Sequence, residues 1–141
     1  MSARAFVDTN IWVYTVDAAD PVKRQRALSV VGAESDDELV VSSQVLAEFY
    51  AVVTRKLSTP LAPETARTLL AQMAALPVVA VDASLVMTAL EASHAWGVSI
   101  WDALIVRAAE RAGCSVLLSE DLADGRTYGS VRVVNPFREA A

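Results

Sequence analysis

The sequence predicts an α/β domain built around a mostly parallel sheet, and three observations predict it. Short β-rich apolar runs alternate with longer stretches whose apolar residues recur at helical spacing, the pattern of strands joined by helical crossovers. The element boundaries carry their own capping or breaking residues. The 141 residues, 54% of them hydrophobic, suffice for one compact domain with a core, whereas two domains would each be too small.

Ala5-Phe6-Val7 reads as the first strand, followed by Asp8 and a helix that begins near Ile11. Pro21 in the first turn and Gly32 just beyond the end bracket a helix over residues 22–31, because proline lacks only an N–H that a first turn leaves unpaired. Residues 38–42 form a second strand, with consecutive apolar positions flanked by polar ones. Ser43 is placed to cap a helix reaching about Leu57, in which Val45, Phe49, Val52 and Val53 make one apolar stripe. Pro63 opens the next helix, to about Leu76, and residues 77–81 supply a third strand. Asp82 caps a helix that reaches Trp96 before Gly97 stops it; Ser99, with Asp102 three positions on, opens a last long helix closed by Gly113. Strands over residues 115–118 and 131–134 complete a sheet of five, with no internal repeat or low-complexity tract.

Composition removes several function classes. The net charge of −5, from 17 acidic and 12 basic residues, lacks the broad positive field of a duplex-DNA binder. Contact with a polyanion would be local, with cations between carboxylates and phosphates reversing the sign of the site. The single cysteine, Cys114, forms no internal disulfide and reads as a small buried residue. The single histidine, His94, lies in a helical pattern near Trp96, so a serine or cysteine hydrolase that needs an imidazole is poorly supplied. The five glycines form no phosphate-cradling loop. No uncharged stretch of about 18 residues exists to cross a bilayer, and Asp8 precedes any signal-length apolar run. A soluble cytoplasmic protein with no membrane span is expected.

Four carboxylates stand apart. Asp8 directly follows the first strand, at the carboxyl edge where open α/β sheets gather ligands, although an aspartate there also caps the following helix. Glu48 has Gln44, Val45, Ala51 and Val52 as its helical neighbours, at the border of the apolar stripe, where a carboxylate is rarely kept without a partner such as Arg55. Asp102 has Val98, Ser99, Ile105 and Val106 around it, and its plain role would be a capping box with Ser99. The cluster Ser119-Glu120-Asp121-Leu122-Ala123-Asp124 follows the fourth strand; Asp121 is preferred for its shorter side chain and its distance from the strand, with Glu120 and Asp124 as alternatives. A parallel sheet brings all these points to one edge. Ionised carboxylates gathered there raise each other's pKa values unless a cation relieves them, and oxygen-only ligation selects Mg²⁺ or Mn²⁺ over zinc.

The order and spacing of Val7-Asp8-Thr9-Asn10, Glu48 in the helix after Ser42-Ser43, Trp101-Asp102-Ala103-Leu104-Ile105, Leu118-Ser119-Glu120-Asp121 and Val134-Asn135-Pro136-Phe137 resemble the PIN-domain nucleases, in particular the small toxins of the VapC type. The resemblance covers almost the full length. It implies a single PIN-like, three-layer α/β/α domain over residues 1–141 and a metal-dependent ribonuclease of a toxin–antitoxin pair. It also implies Asp8, Glu48, Asp102 and Asp121 as catalytic metal ligands for Mg²⁺ or Mn²⁺, an RNA substrate, a VapB-type antitoxin and a homodimer. On that reading Asp8 and Asp102 are the principal ligands, Asp121 completes the shell and Glu48 orients the water or holds a second ion, with Thr9, Asn10 and Ser43 orienting the carboxylates. Basic residues at positions 23, 24, 26, 55, 56, 107 and 111 are candidates to guide phosphates, though most read as solvated faces, and Trp12 is a candidate to stack on a base, though apolar contact with the core or a dimer partner suits it better.

Two other classes remain in view. A phosphatase of the haloacid-dehalogenase kind also begins with an aspartate after its first strand, but it wants a second aspartate two residues later, where this chain has Asn10, and a lysine near the site, whereas Lys23 and Lys56 fall outside the strand ends. A catalytically silent PIN module that binds RNA or protein would keep the acidic groove for a partner alone.

Overall fold

In the computed structural model, which describes residues 3–32 and 35–138, strands β1 (Arg4–Val7), β2 (Glu38–Ser42), β3 (Val78–Val79), β4 (Val116–Leu118), β5 (Thr127–Tyr128) and β6 (Val131–Val134) form one sheet in the order β3-β2-β1-β4-β6-β5. All pairings are parallel except the β5–β6 hairpin. The sheet has six strands where the sequence marks five. The extra one is two residues long, too short to show an alternating pattern, and is turned back by Gly129 at a φ of 58°.

Six helices connect the strands: α1 (Thr9–Tyr14), α2 (Pro21–Val31), α3 (Ser43–Arg55), α4 (Pro63–Met73), α5 (Ala83–Trp96) and α6 (Ile100–Arg111). The connections β1 to β2 and β2 to β3 step across the sheet in one direction, and the β3 to β4 connection through α5 and α6 steps back past both. Right-handed crossovers therefore put α1 to α4 on one face and α5 with α6 on the other, a three-layer α/β/α stack. Strand order reverses between β1 and β4, and a crevice opens at the carboxyl ends of such a pair.

Local chemistry explains most boundaries. Asp20, Asp82 and Ser99 each accept a hydrogen bond from a backbone N–H of the helix that follows, and Pro21 and Pro63 occupy first turns. Gly97 ends α5 in the left-handed region, at a φ of 66°. The cap of α3 is Ser42, not the expected Ser43: Ser42 Oγ accepts the Val45 N–H, whereas Ser43 Oγ accepts the N–H of Val81 and ties α3 to the segment after β3. Strand β2 runs into α3 without a loop, so the last strand residue is itself the cap. Phe6, Val7, Val40, Val41, Leu117 and Val133 fill the sheet, with Phe49, Val53, Leu85 and Val106 packing on it or on its helices, all buried. Cys114 is buried just before β4, as expected.

Candidate active site

Asp8 is the first residue past β1 and Ser119 the first past β4. The parallel register pairs Val7 with Leu118, and the Asp8 N–H donates to the Leu118 carbonyl, so the two side chains emerge side by side at the reversal of strand order. Both are buried. Ser119 Oγ donates to Asp8 Oδ2 at 2.7 Å, and the Thr9 N–H donates to Oδ1 at 2.7 Å. Asp8 therefore caps α1, as its position allowed, and is held through both oxygens. Burial pushes its pKa from 3.8 up to about 7; the nearby carboxylates of Asp121 and Glu48 push the same way, against the two hydrogen bonds.

The other acids reach this point from separate elements. Glu48, on the second turn of α3, is exposed, a departure from its expected place at the border of the buried stripe. Its partner is Thr9 Oγ1, which donates to Oε1 at 3.3 Å across the crevice, and not Arg55. Of its neighbours three and four positions away, Val45 is buried, Gln44 and Val52 are half-buried and Ala51 is exposed, so Glu48 lies on the outer flank of the stripe. Asp102 is half-buried in the first turn of α6, where its N–H donates to Ser99 Oγ at 3.1 Å. Burial raises its pKa, and the Asp121 carboxylate raises it further.

The three acids after β4 separate by what they touch. Glu120 receives the Tyr14 hydroxyl at 2.8 Å and the Lys23 ammonium on its other oxygen. Asp124 accepts the Asn135 N–H at 2.8 Å and lies 3.6 Å from Arg138. Asp121 remains, its N–H donating to the same Ser119 hydroxyl that holds Asp8. Its carboxylate acts on both Asp8 and Asp102 and lines, with Thr9, Asn10 and Glu48, a cavity of about 380 Å³.

Lys23, Arg24 and Arg26 are engaged with Glu120, the Thr15 carbonyl and the Pro136 carbonyl, and Arg107 and Arg111 with Glu110 and Asp82. Only Arg55 and Lys56, exposed at the end of α3, remain of the basic pairs singled out. Trp12 is buried and donates its indole N–H to the Val7 carbonyl at 3.2 Å, a core contact. Ser119 and Tyr14 are parts of this arrangement to which sequence reasoning gave no role, and Lys23, a candidate to guide phosphates, instead pairs with Glu120. A serine next to the preferred acids was the only local signal.

In chemistry, the donor set fits a hard divalent cation. It is all oxygen, each Asp8 oxygen keeps a lone pair beyond its one hydrogen bond, and neither His94 nor Cys114 is among its members. In position, the side chains lie as neighbours around Asp8 and Asp121, and among the described residues no three His, Cys, Asp or Glu are grouped so as to hold one ion. Asn10 adds a buried amide nitrogen with no partner, a donor suited to an oxygen acceptor.

A model of the PIN domain matches residues 5–124. The chain belongs to the PIN domain family. Solved structures with the same PIN fold include Mycobacterium tuberculosis VapC20, a sarcin-ricin loop cleaving toxin, at 20% identity over 83% of this chain and 91% of that one with a TM-score of 0.62. A toxin–antitoxin complex from Klebsiella pneumoniae matches at 14% identity over 96% and 99% of the two chains with a TM-score of 0.71. DNA-bound VapBC from Salmonella typhimurium matches at 19% identity over 93% and 96% with a TM-score of 0.61. No curated protein sequence matches the chain. All four proposed site acids fall within the matched PIN segment, at the carboxyl edge of the sheet or on helices that border it. Among the described residues, no helix is long and apolar enough to cross a membrane.

Proposed function

We propose that this PIN domain, read as one unit over residues 1–141, is a Mg²⁺- or Mn²⁺-dependent endoribonuclease and the toxin of a toxin–antitoxin pair. The observation that carries the reading is Asp8, a buried carboxylate at the reversal point of a parallel sheet, held through both oxygens and faced by Asp121 and Glu48. Structural proteins do not ordinarily bury an acid beside further acids without a positive partner. The PIN family membership and the sarcin-ricin loop cleavage by VapC20 support the same reading.

Asp8, Asp102 and Asp121 would hold the cation, with Glu48 orienting the attacking water. When bound, the cation supplies Lewis acidity to water and phosphate and steadies charge on the leaving oxygen. Ser119 and Thr9 keep Asp8 in a fixed rotamer, and Ser119 couples that rotamer to the backbone at Asp121. The Asn10 amide nitrogen serves a phosphate oxygen. Hydrolysis of this kind needs no 2′-hydroxyl, so selection of RNA falls to the groove. A VapB-type antitoxin and a homodimeric assembly go with the toxin reading; the toxin–antitoxin complexes among the structural neighbours support the first.

One experiment separates the classes. Labelled RNA and a phosphomonoester are incubated with the protein, with Mg²⁺, Mn²⁺ or EDTA, alongside Asp8→Asn and Asp102→Asn. RNA cleavage by the wild type alone, and only with metal, is expected. Cleavage that persists in EDTA or in both variants overturns the metal-nuclease reading. Turnover of the phosphomonoester alone assigns dehalogenase-like chemistry, and RNA binding without turnover assigns a silent module.

A further inference from the structure

Two of the three tryptophans are accounted for by packing. Trp12 is in the core, and Trp96 packs edge-on against Tyr128 with the Arg107 guanidinium over its ring. Trp101 is 63% exposed, although it directly precedes Asp102. Trp101 lines a cavity of about 530 Å³ together with Val81, Ala47, Leu104 and Glu48. That volume is within the roughly 300–1,000 Å³ of small-molecule sites. Glu48 also lines the acid-lined cavity, so the two cavities share that residue. The apolar cavity thus adjoins the acid-lined one, and Trp101 is the chain neighbour of the proposed ligand Asp102. Gln44 Nε2 donates to the Trp101 carbonyl at 3.3 Å, tying the start of α6 to α3, and both helices contribute to the cavity.

We propose that this cavity is a nucleobase subsite, in which the base next to the scissile phosphate stacks on the Trp101 indole while its phosphate lies at the acids. The proposal rests on the nuclease reading and adds to it a residue that selects single-stranded RNA. A duplex keeps its bases stacked on one another, whereas an unpaired nucleotide presents a free face to the indole. Stacking on a π-face accepts every base, so Trp101 contributes affinity for unpaired RNA and not a preference among bases. The apolar walls suit a ring, and the negative charge of Glu48 disfavours a phosphate in the cavity.

The test uses fluorescein-labelled hexamers rA6, rC6 and rU6, and a hexamer of abasic ribose phosphates, with Ca²⁺ in place of Mg²⁺ so that affinity is read without turnover. Trp101→Ala is expected to weaken all three base-bearing hexamers by roughly tenfold or more, and Trp101→Phe to keep affinity within about threefold of wild type. The abasic hexamer binds the wild type and Trp101→Ala alike, and in the cleavage assay the loss in Trp101→Ala falls on KM rather than kcat. Equal hexamer affinity of Trp101→Ala and wild type, with wild-type RNA cleavage intact, overturns the subsite and leaves the nuclease reading standing. A change of oligomeric state in sedimentation, with hexamer affinity unchanged, assigns Trp101 to contact with a second copy and overturns the subsite equally. Wild-type protein that neither binds the hexamers nor cleaves RNA overturns the nuclease reading, and the subsite with it.

Discussion

Ser119 Oγ donates to Asp8 Oδ2 at 2.7 Å, joining two residues 111 positions apart through a bond made entirely inside the protein. The same hydroxyl accepts the Asp121 N–H at 3.2 Å, so a single side chain orients one acid and anchors the backbone of another. Ser119→Ala is expected to lower RNA cleavage by about 10- to 100-fold, the usual cost of removing a group that orients a metal ligand. Kinetics at saturating and limiting Mg²⁺ check it: the deficit should be larger at limiting metal. An unchanged metal dependence would deny Ser119 this role.

The acids after β4 separate by mutation. Glu120 is occupied by Lys23 and Tyr14, so Glu120→Gln should retain most cleavage and lose up to about 1 kcal/mol of stability, the scale of a partly exposed ion pair. Asp121→Asn should lose activity by on the order of 100-fold while remaining folded. The two variants, compared for turnover and urea midpoint, are expected to give opposite patterns. Asp121→Asn with wild-type turnover would return the choice to Glu120 or Asp124.

Asp8 also makes a prediction about pH. Its pKa in the folded chain, about 7, lies above its ordinary value of 3.8, so the folded state holds the proton more tightly than the unfolded one. Its contribution to stability is fully present below about pH 3.8 and is lost as pH rises through about 7. In EDTA, the unfolding midpoint of wild type relative to Asp8→Asn should therefore fall between pH 5 and pH 8 (a span on the order of the shift itself), and saturating Mn²⁺ should restore it at the upper end. A difference between the two proteins that stays level across that window would show that the buried carboxylate is not the cause.

Gly129 tests the hairpin that adds the sixth strand. It turns at a positive φ of 58°, and a methyl group there would run into the Glu110 carboxylate, which also pairs with Arg107 and reaches Ser130. Gly129→Ala should cost about 1–3 kcal/mol in urea unfolding, and the increment should shrink in a Glu110→Ala background, where the collision is absent. An equal increment in both backgrounds would leave backbone strain as the whole effect.

Features that a residue and its immediate neighbours decide were legible in the sequence. The strand after which Asp8 emerges, the Ser99 cap that presents Asp102, and the prolines and glycines that bound α2, α4 and α5 are local chemistry. What escaped was set by packing between distant segments. Lys23, in α2, selects among the acids after β4 by claiming Glu120, a relation 97 positions long that no window of sequence contains. Glu48 lies on the apolar border by periodicity alone, and only the outward placement of that side of α3 shows it exposed. Ser42 and Ser43 are adjacent and chemically equivalent, so the choice of cap depended on where β2 ends. Trp101 stands in the sequence only as part of the segment around Asp102; that it is left outside the core is a property of the finished fold.

Strand β1 is made first yet sits in the middle of the sheet, and its partner β4 comes from near the other end of the described chain. A ribosome releasing this polypeptide delivers Asp8 early and both Ser119 and Asp121 more than a hundred residues later. Until then the edge of β1 that faces β4 stays open and Asp8 lacks the bond that orients it. The proposed set of acids is therefore complete only in a chain that has been made through Asp121.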